Sequence, residues 1–179
     1  MDITAADLQA KLSAHARWLA GDEDGVRLNL RGVDLTLADL SGANMTRADL
    51  SGADMRWADL SGTNLTRANL SGADLRRANL SGADMRWADM RWVNLSGANL
   101  SGANLSDADL DFSCWPLWCG SQGAVVDARI AAQLAAHFCT LDCDDPAYQE
   151  AREALLPFAR TSHRAKDLGL IEDEEDHHD

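Results

Sequence analysis

An all-β core wound as a solenoid is the fold class that this chain predicts, and three observations carry the prediction. From Leu28 to Phe112 the chain divides into seventeen consecutive five-residue units without a break, running LNLRG, VDLTL, ADLSG, ANMTR and onward to ADLDF. Most units open on a small residue, all carry Asp or Asn second, and all carry Leu or Met third. A period of five also fits neither regular element. On a helix five residues advance by ~500°, so successive leucines would form no stripe. On a flat strand an odd period sends alternate leucines to opposite faces. Only a chain that turns a corner every five residues keeps the first and third positions of every unit facing inward.

The sequence divides into residues 1–27, an N-terminal capping helix and linker; 28–112, the repeat array; 113–170, an aromatic cap and helices; and 171–179, a disordered acidic tail. At the start, Thr4-Ala5-Ala6-Asp7 reads as a capping box, with Leu8, Leu12, His15 and Leu19 following at helical spacing and Gly21 ending the helix. His15 and Trp18 are read there as packing residues rather than ligands. A helix at this end suits an open stack of coils, whose edge would otherwise pair with other chains.

Inside the array the first position is Ala except at Leu28, Val33, Thr63 and Val93. Alternating a small with a large inward side chain is what a narrow filled tube requires. Thr63 would bury a hydroxyl, which would return a hydrogen bond to nearby backbone. Gly takes the fifth position in the Ser-Gly units, as at 41–42, 51–52 and 61–62, and supplies the positive φ of a type II turn. Arg and Trp fill that position in the units between, so two kinds of corner are expected in rough alternation. The alternation breaks at residues 83–92, where ADMRW occurs twice running.

These units, A(D/N)LxG-like throughout, resemble the pentapeptide-repeat family over residues 28–112, about half the chain. The resemblance implies a right-handed, four-sided β-solenoid with twenty residues per turn, so the seventeen units make about four coils. With ~4.8 Å between stacked strands, the tube would be roughly 20 Å long. Every fourth unit then shares a face. One corner stacks Thr36-Leu37, Arg56-Trp57, Arg76-Arg77 and Ser96-Gly97; the opposite one stacks Thr46-Arg47, Thr66-Arg67, Arg86-Trp87 and Ser106-Asp107; Arg91-Trp92 falls on a third.

The outward candidates for binding a partner are therefore Arg56, Trp57, Arg76, Arg77, Arg86, Trp87, Arg91 and Trp92. A plain reading has these arginines offset the outward Asp34, Asp54, Asp74, Asp84 and Asp89, with Trp shielding backbone and stacking on guanidinium groups. The sharper reading is a partner-binding surface, since Trp and Arg are enriched in interface hot spots.

After Phe112 the pattern stops with SCWPLWCG, and Trp115, Leu117 and Trp118 read as an apolar plug on the last coil. A helix is expected near 124–140, with Val126, Ile130, Leu134 and Phe138 at four-residue intervals. Asp145-Pro146 should start another, carrying Tyr148, Leu155 and Leu156, with Pro157 ending or bending it. All four cysteines lie in this region. Cys114, Cys119, Cys139 and Cys143, with His137 and His163 near in sequence, would suit zinc only at a looser spacing than the usual knuckle, and small buried hydrophobes are the favoured reading. No cofactor is expected.

Charge narrows function further. The net charge is −13, yet residues 28–112 carry 11 acids against 8 bases, and six acids lie in the last eight residues. The acidity belongs mainly to the tail. Without a run of ~20 apolar residues no membrane span is expected, and without a basic start before an apolar core no secretory signal is expected either. Cytoplasmic is the default for a chain with these cysteines. No phosphate loop, triad or paired-carboxylate cleft stands out, so the expectation is no enzyme. First comes a protein-interaction scaffold with an unidentified protein partner. The resemblance implies an alternative, a DNA-mimicking DNA gyrase or topoisomerase binder giving quinolone or antibiotic resistance. A tube of ~20 Å spans only about six base-pair steps, and its near balance of charge opposes that alternative as well as direct nucleic-acid binding. A zinc-bearing or enzymatic C-terminal module is the third class. Homodimerisation through the C-terminal region completes the partner expectations.

Overall fold

The computed structural model describes residues 3–114, 124–139, 146–162, 165–166 and 170, excepting the side chains of 137, 138 and 146–148. Two compact units divide the chain, Met1–Val126 and Asp127–Asp179.

The first unit begins with helix α1 (Ala5–Ala20), capped by Thr4, whose Oγ1 accepts the N–H of Asp7, and closed by Gly21 at φ 85°. The linker folds back on α1, and Val26 donates its N–H to the carbonyl of Ala14. Gly25 has to be glycine there, because a Cβ would lie 2.3 Å from the backbone nitrogen of Trp18. Leu8 and His15 are the buried residues of the helix, and His15 Nδ1 accepts the N–H of Leu28 at 3.1 Å. The expected packing histidine is thus also a polar tie to the first coil.

From Asn29 onward, parallel bridges join each second-position residue to the one twenty places along, as in Asn29↔Asp49, Asp49↔Asn69 and Asn69↔Asp89. Four units therefore complete one coil. Corners leave each side so short that pairing stays at single-residue bridges rather than extended strands. The unit Ala48–Gly52 shows why the repeat is self-sufficient. Ala48 donates to the Met45 carbonyl at 3.0 Å, closing the preceding corner; Asp49 donates to Leu28 at 3.0 Å; Leu50 donates to Asn69 at 2.8 Å; and Gly52 donates to Ser71 at 2.9 Å. Ser51, the remaining N–H, donates to the Asp49 side chain at 3.1 Å. All five backbone donors of the unit are satisfied, as a buried ladder demands.

The core follows the expected pattern. Third-position Leu and Met residues are buried throughout, and first-position Ala is buried from Ala48 onward. In the first coil, Val33, Ala38 and Ala43 are only half-buried. Thr63 is buried, and its hydroxyl donates to the Leu60 carbonyl at 2.6 Å, as expected.

One expectation fails. Every fifth position, glycine or not, has positive φ: Gly42 at 65° and Gly52 at 64°, but also Arg47 at 60°, Trp57 at 62° and Trp87 at 57°. A single kind of corner serves the whole array, because bridges at a fixed twenty-residue spacing demand the same turn from each unit whatever residue occupies it.

The coil also runs past Phe112. Cys114 bridges Asn94, and Val125 bridges Asn104 at an offset of twenty-one. Val125 thus pairs with the coil one residue out of the twenty-residue register, and the helix expected near 124 begins only at Ala128.

In the second unit, α2 (Ala128–Cys139) follows Asp127, whose side chain accepts the N–H of Ile130. Helix α3 (Pro146–Ala159) starts on the expected proline and carries Pro157 inside it, running two residues beyond the expected stop. Ala135, Ala136, Cys139, Ala159, Ala165 and Leu170 form the core of this unit, with Leu156 packed against it. The plug residues Trp115, Leu117 and Trp118, the cap Asp145 and the acidic tail lie outside the described residues.

Candidate interaction surface

The outer surface is governed by the second, fourth and fifth positions of each unit. In each of the seventeen units the second-position Asp or Asn accepts the N–H two residues on, as Asp39 does from Ser41, Asn64 from Thr66 and Asp109 from Asp111. This is an Asx turn repeated along the array. The carboxylates are therefore built into the corners, and their recurrence needs no catalytic account.

Where the fourth residue is Arg, the same carboxylate takes its guanidinium. Arg56 pairs with Asp54 at 2.6 Å, Arg76 with Asp74 at 2.6 Å, Arg86 with Asp84 at 2.7 Å and Arg91 with Asp89 at 2.7 Å. The arginine hydrogen bonds hold Asp54, Asp74, Asp84 and Asp89 below the usual carboxylate range. Asp39 and Asp59 are held down chiefly by the hydroxyls of Ser41 and Ser61. Four of the eight candidate residues are thus neutralised within their own units.

The fifth-position residues behave differently. Trp57, Trp87 and Trp92 are 53%, 46% and 63% exposed on corners whose positive φ favours glycine. Each stacks on the residue one coil away. The Arg77 guanidinium lies over Trp57 at 4.6 Å, Arg67 over Trp87 at 5.4 Å, and Trp92 lies parallel to Phe112 at 4.1 Å. Arg86 also lies 5.4 Å over Trp87. The doubled ADMRW unit acquires a physical account here. It puts tryptophan on two consecutive corners and brings Trp92 into the column of Gly32, Gly52 and Gly72, where Phe112 meets it. The next glycine, Gly97, enters the column of Trp57 and Arg77, and a Cβ there would lie 3.3 Å from Arg77 Cγ.

Arg56, Trp57, Arg76 and Arg77 line one shallow concavity with Ser96 and Gly97. Arg86-Trp87 and Arg91-Trp92 sit on two other corners, so the eight candidates do not form a single patch. Arg67 and Phe112 were not among them. Applying the twenty-residue stacking rule to the corner residues finds both.

Of the cysteine set, Cys114 is exposed with its sulfur 3.0 Å from Ser96 Oγ, and Cys139 is buried; Cys119, Cys143, His163 and the His137 side chain lie outside the described residues. Among the described residues no group of His, Cys, Asp or Glu is placed to hold a metal, and no helix is long and apolar enough to cross a membrane.

The comparisons with known proteins agree with this geometry. The pentapeptide repeats family matches residues 27–56, 53–91 and 88–114 in eight copies. Among solved structures, a pentapeptide repeat protein from the Arabidopsis thaliana thylakoid lumen is 32% identical, with 62% of this chain and 77% of that one covered and a TM-score of 0.50. The pentapeptide repeat protein Rfr23 from the cyanobacterium Cyanothece 51142 is 30% identical over 55% of this chain and 60% of its own, with a TM-score of 0.32. The plasmid-mediated fluoroquinolone resistance protein QnrB1 is 22% identical over 63% of this chain and 71% of its own, with a TM-score of 0.29. No curated protein matches the chain.

Proposed function

The chain belongs to the pentapeptide repeat family, whose fold is a right-handed β-solenoid, and from that premise we propose that it is a non-enzymatic scaffold binding another protein through its tryptophan- and arginine-bearing corners. The observation that supports this best is the placement of Trp57, Trp87 and Trp92. A bulky residue at positive φ is strained by about 1–2 kcal/mol relative to glycine. Other corners of the same array carry Gly, so the fold has no need of Trp at these three. Half-exposed aromatics flanked by guanidinium groups are the side chains that dominate protein interfaces. In this reading α1 covers the open edge of the first coil, the C-terminal unit supplies a second contact region or a homodimer contact, and the free thiols of Cys114 and Cys139 suit the cytoplasm.

The test uses glycine, which these corners accept without strain. The triple variant Trp57→Gly, Trp87→Gly, Trp92→Gly should keep the circular dichroism and thermal transition of the parent. It should also lose a partner that the parent retains on an affinity column. Equal retention by parent and variant would overturn the reading.

The gyrase-mimic alternative draws less support, because the ladder Asp54, Asp74 is interleaved with Arg56 and Arg76 and presents no continuous negative stripe. A supercoiling assay separates the two: inhibition of gyrase by the parent protein would favour the mimic.

A further inference from the structure

We infer that Arg27, Arg47 and Arg67, the start of the corner column that continues through Trp87 to Asp107, are a docking strip for a short carboxylate-rich peptide segment of another protein, an inference that rests on reading the solenoid as an interaction surface. The array contains two classes of arginine. From Arg56 onward, each fourth-position arginine follows an Asp at the second position and is paired with it. Both Thr-Arg units, ANMTR and TNLTR, carry Asn instead, at Asn44 and Asn64. Asn performs the same turn-closing task, accepting the N–H of Thr46 and Thr66. Carboxylates thus accompany the arginines of the sides, whereas the units of Arg47 and Arg67 carry none, and the one acid of this corner column, Asp107, stands two coils beyond Arg67. Asp49 does lie within electrostatic range of Arg27 and Arg31, and its Oδ1 is taken up by Ser51.

The column is also held in place for contact. Arg27 Nε donates to the Arg47 carbonyl at 2.6 Å, while the Arg67 guanidinium rests over Trp87. Arg47 and Arg67 are exposed and occupy corners at φ 60° and 58°, where glycine would be free of strain. Neighbouring coils repeat at about 4.8 Å, so the column carries backbone strain and like-charge repulsion together. An anionic ligand relieves the repulsion.

A few carboxylates match a strip three coils long better than a phosphate strand does. Trp87 already lies under two guanidinium groups, so its face offers no platform for a base. The chain's net charge of −13 disfavours a long polyanion. A short peptide feels little of the remote acids, since charges beyond about 8 Å are screened at physiological salt.

The test is fluorescence anisotropy with a labelled hexaglutamate peptide and the full chain, with a ten-residue oligothymidylate as the competing class. Binding that weakens with salt, and that falls roughly tenfold in Arg47→Gly, Arg67→Gly while staying unchanged in Lys11→Gln, an exposed cation of α1, is the expected result. Glycine keeps the corners relaxed, and an unchanged thermal transition shows that the double variant is folded. No peptide binding, equal binding by the double variant, or tighter binding of the oligothymidylate would overturn the inference. Should the peptide fail while the triple tryptophan variant still loses its partner, this strip falls and the scaffold reading stands.

Discussion

The second position of each unit shows how one side chain can fix both a turn and a charge pattern. Asp and Asn alternate there freely because the turn needs only an acceptor oxygen, which both supply. Asp74 accepts the Arg76 N–H at 3.1 Å and its guanidinium at 2.6 Å. Asp74→Asn keeps the acceptor and should cost no more than about 0.5 kcal/mol, while Asp74→Ala strands the Arg76 N–H and should cost about 1–2 kcal/mol in urea unfolding. Similar costs for the two variants would refute the turn-closing role. The depressed carboxylates also set an acid limit. Their protons bind more readily in the unfolded chain, so their contribution is present above the ordinary carboxylate value near pH 4 and is lost as pH falls below it. The urea midpoint should therefore stay level with respect to these groups down to about pH 4 and then drop.

At the scale of elements, the meeting of α1 with the first coil depends on His15. The ring is fully buried, stacks on Trp18 at 5.4 Å, and uses Nδ1 as an acceptor for Leu28. Burial, first, and the nearby Arg27 charge push its pKa down, against a smaller upward influence from the Thr46 backbone. Protonation would set N–H against N–H. The unfolded chain takes the proton more readily, so this tie is fully present above about pH 6.5 and weakens as pH falls below it. Hydrogen exchange at the Leu28 amide should therefore quicken, relative to Leu50, between pH 7.5 and 5.5, and His15→Gln should abolish that difference; a Leu28 amide insensitive to pH would count against the tie. The coils themselves rely on apolar filling. Leu70 is fully buried in mid-array, and Leu70→Ala should cost about 3 kcal/mol in urea unfolding. A loss under about 1 kcal/mol would show that the coils close up around the gap.

At the scale of the whole molecule, the repeat was legible because the same demand is written seventeen times from Leu28 to Phe112. Period, inward positions and buried Thr63 follow from size and spacing alone, as do the limits of α1, whose capping signals lie within a few residues of one another. The corner conformation did not follow, since local propensity says that Trp57 and Arg47 should avoid positive φ and the stacked ladder overrules it. The offsetting of arginines by outward aspartates and the stacking of Trp on guanidinium groups were one of the readings open at the surface, and the structure shows them at Arg56, Arg76 and Arg77–Trp57. The Trp92–Phe112 stack and the pairing of Val125 with Asn104 after the motif had ended were not legible. The physical reason is one of range. Side-chain size and turn chemistry act over a handful of neighbouring residues and can be read along the chain. The surface is built from contacts between residues twenty apart, and which of them meet is set by four corners closing a coil.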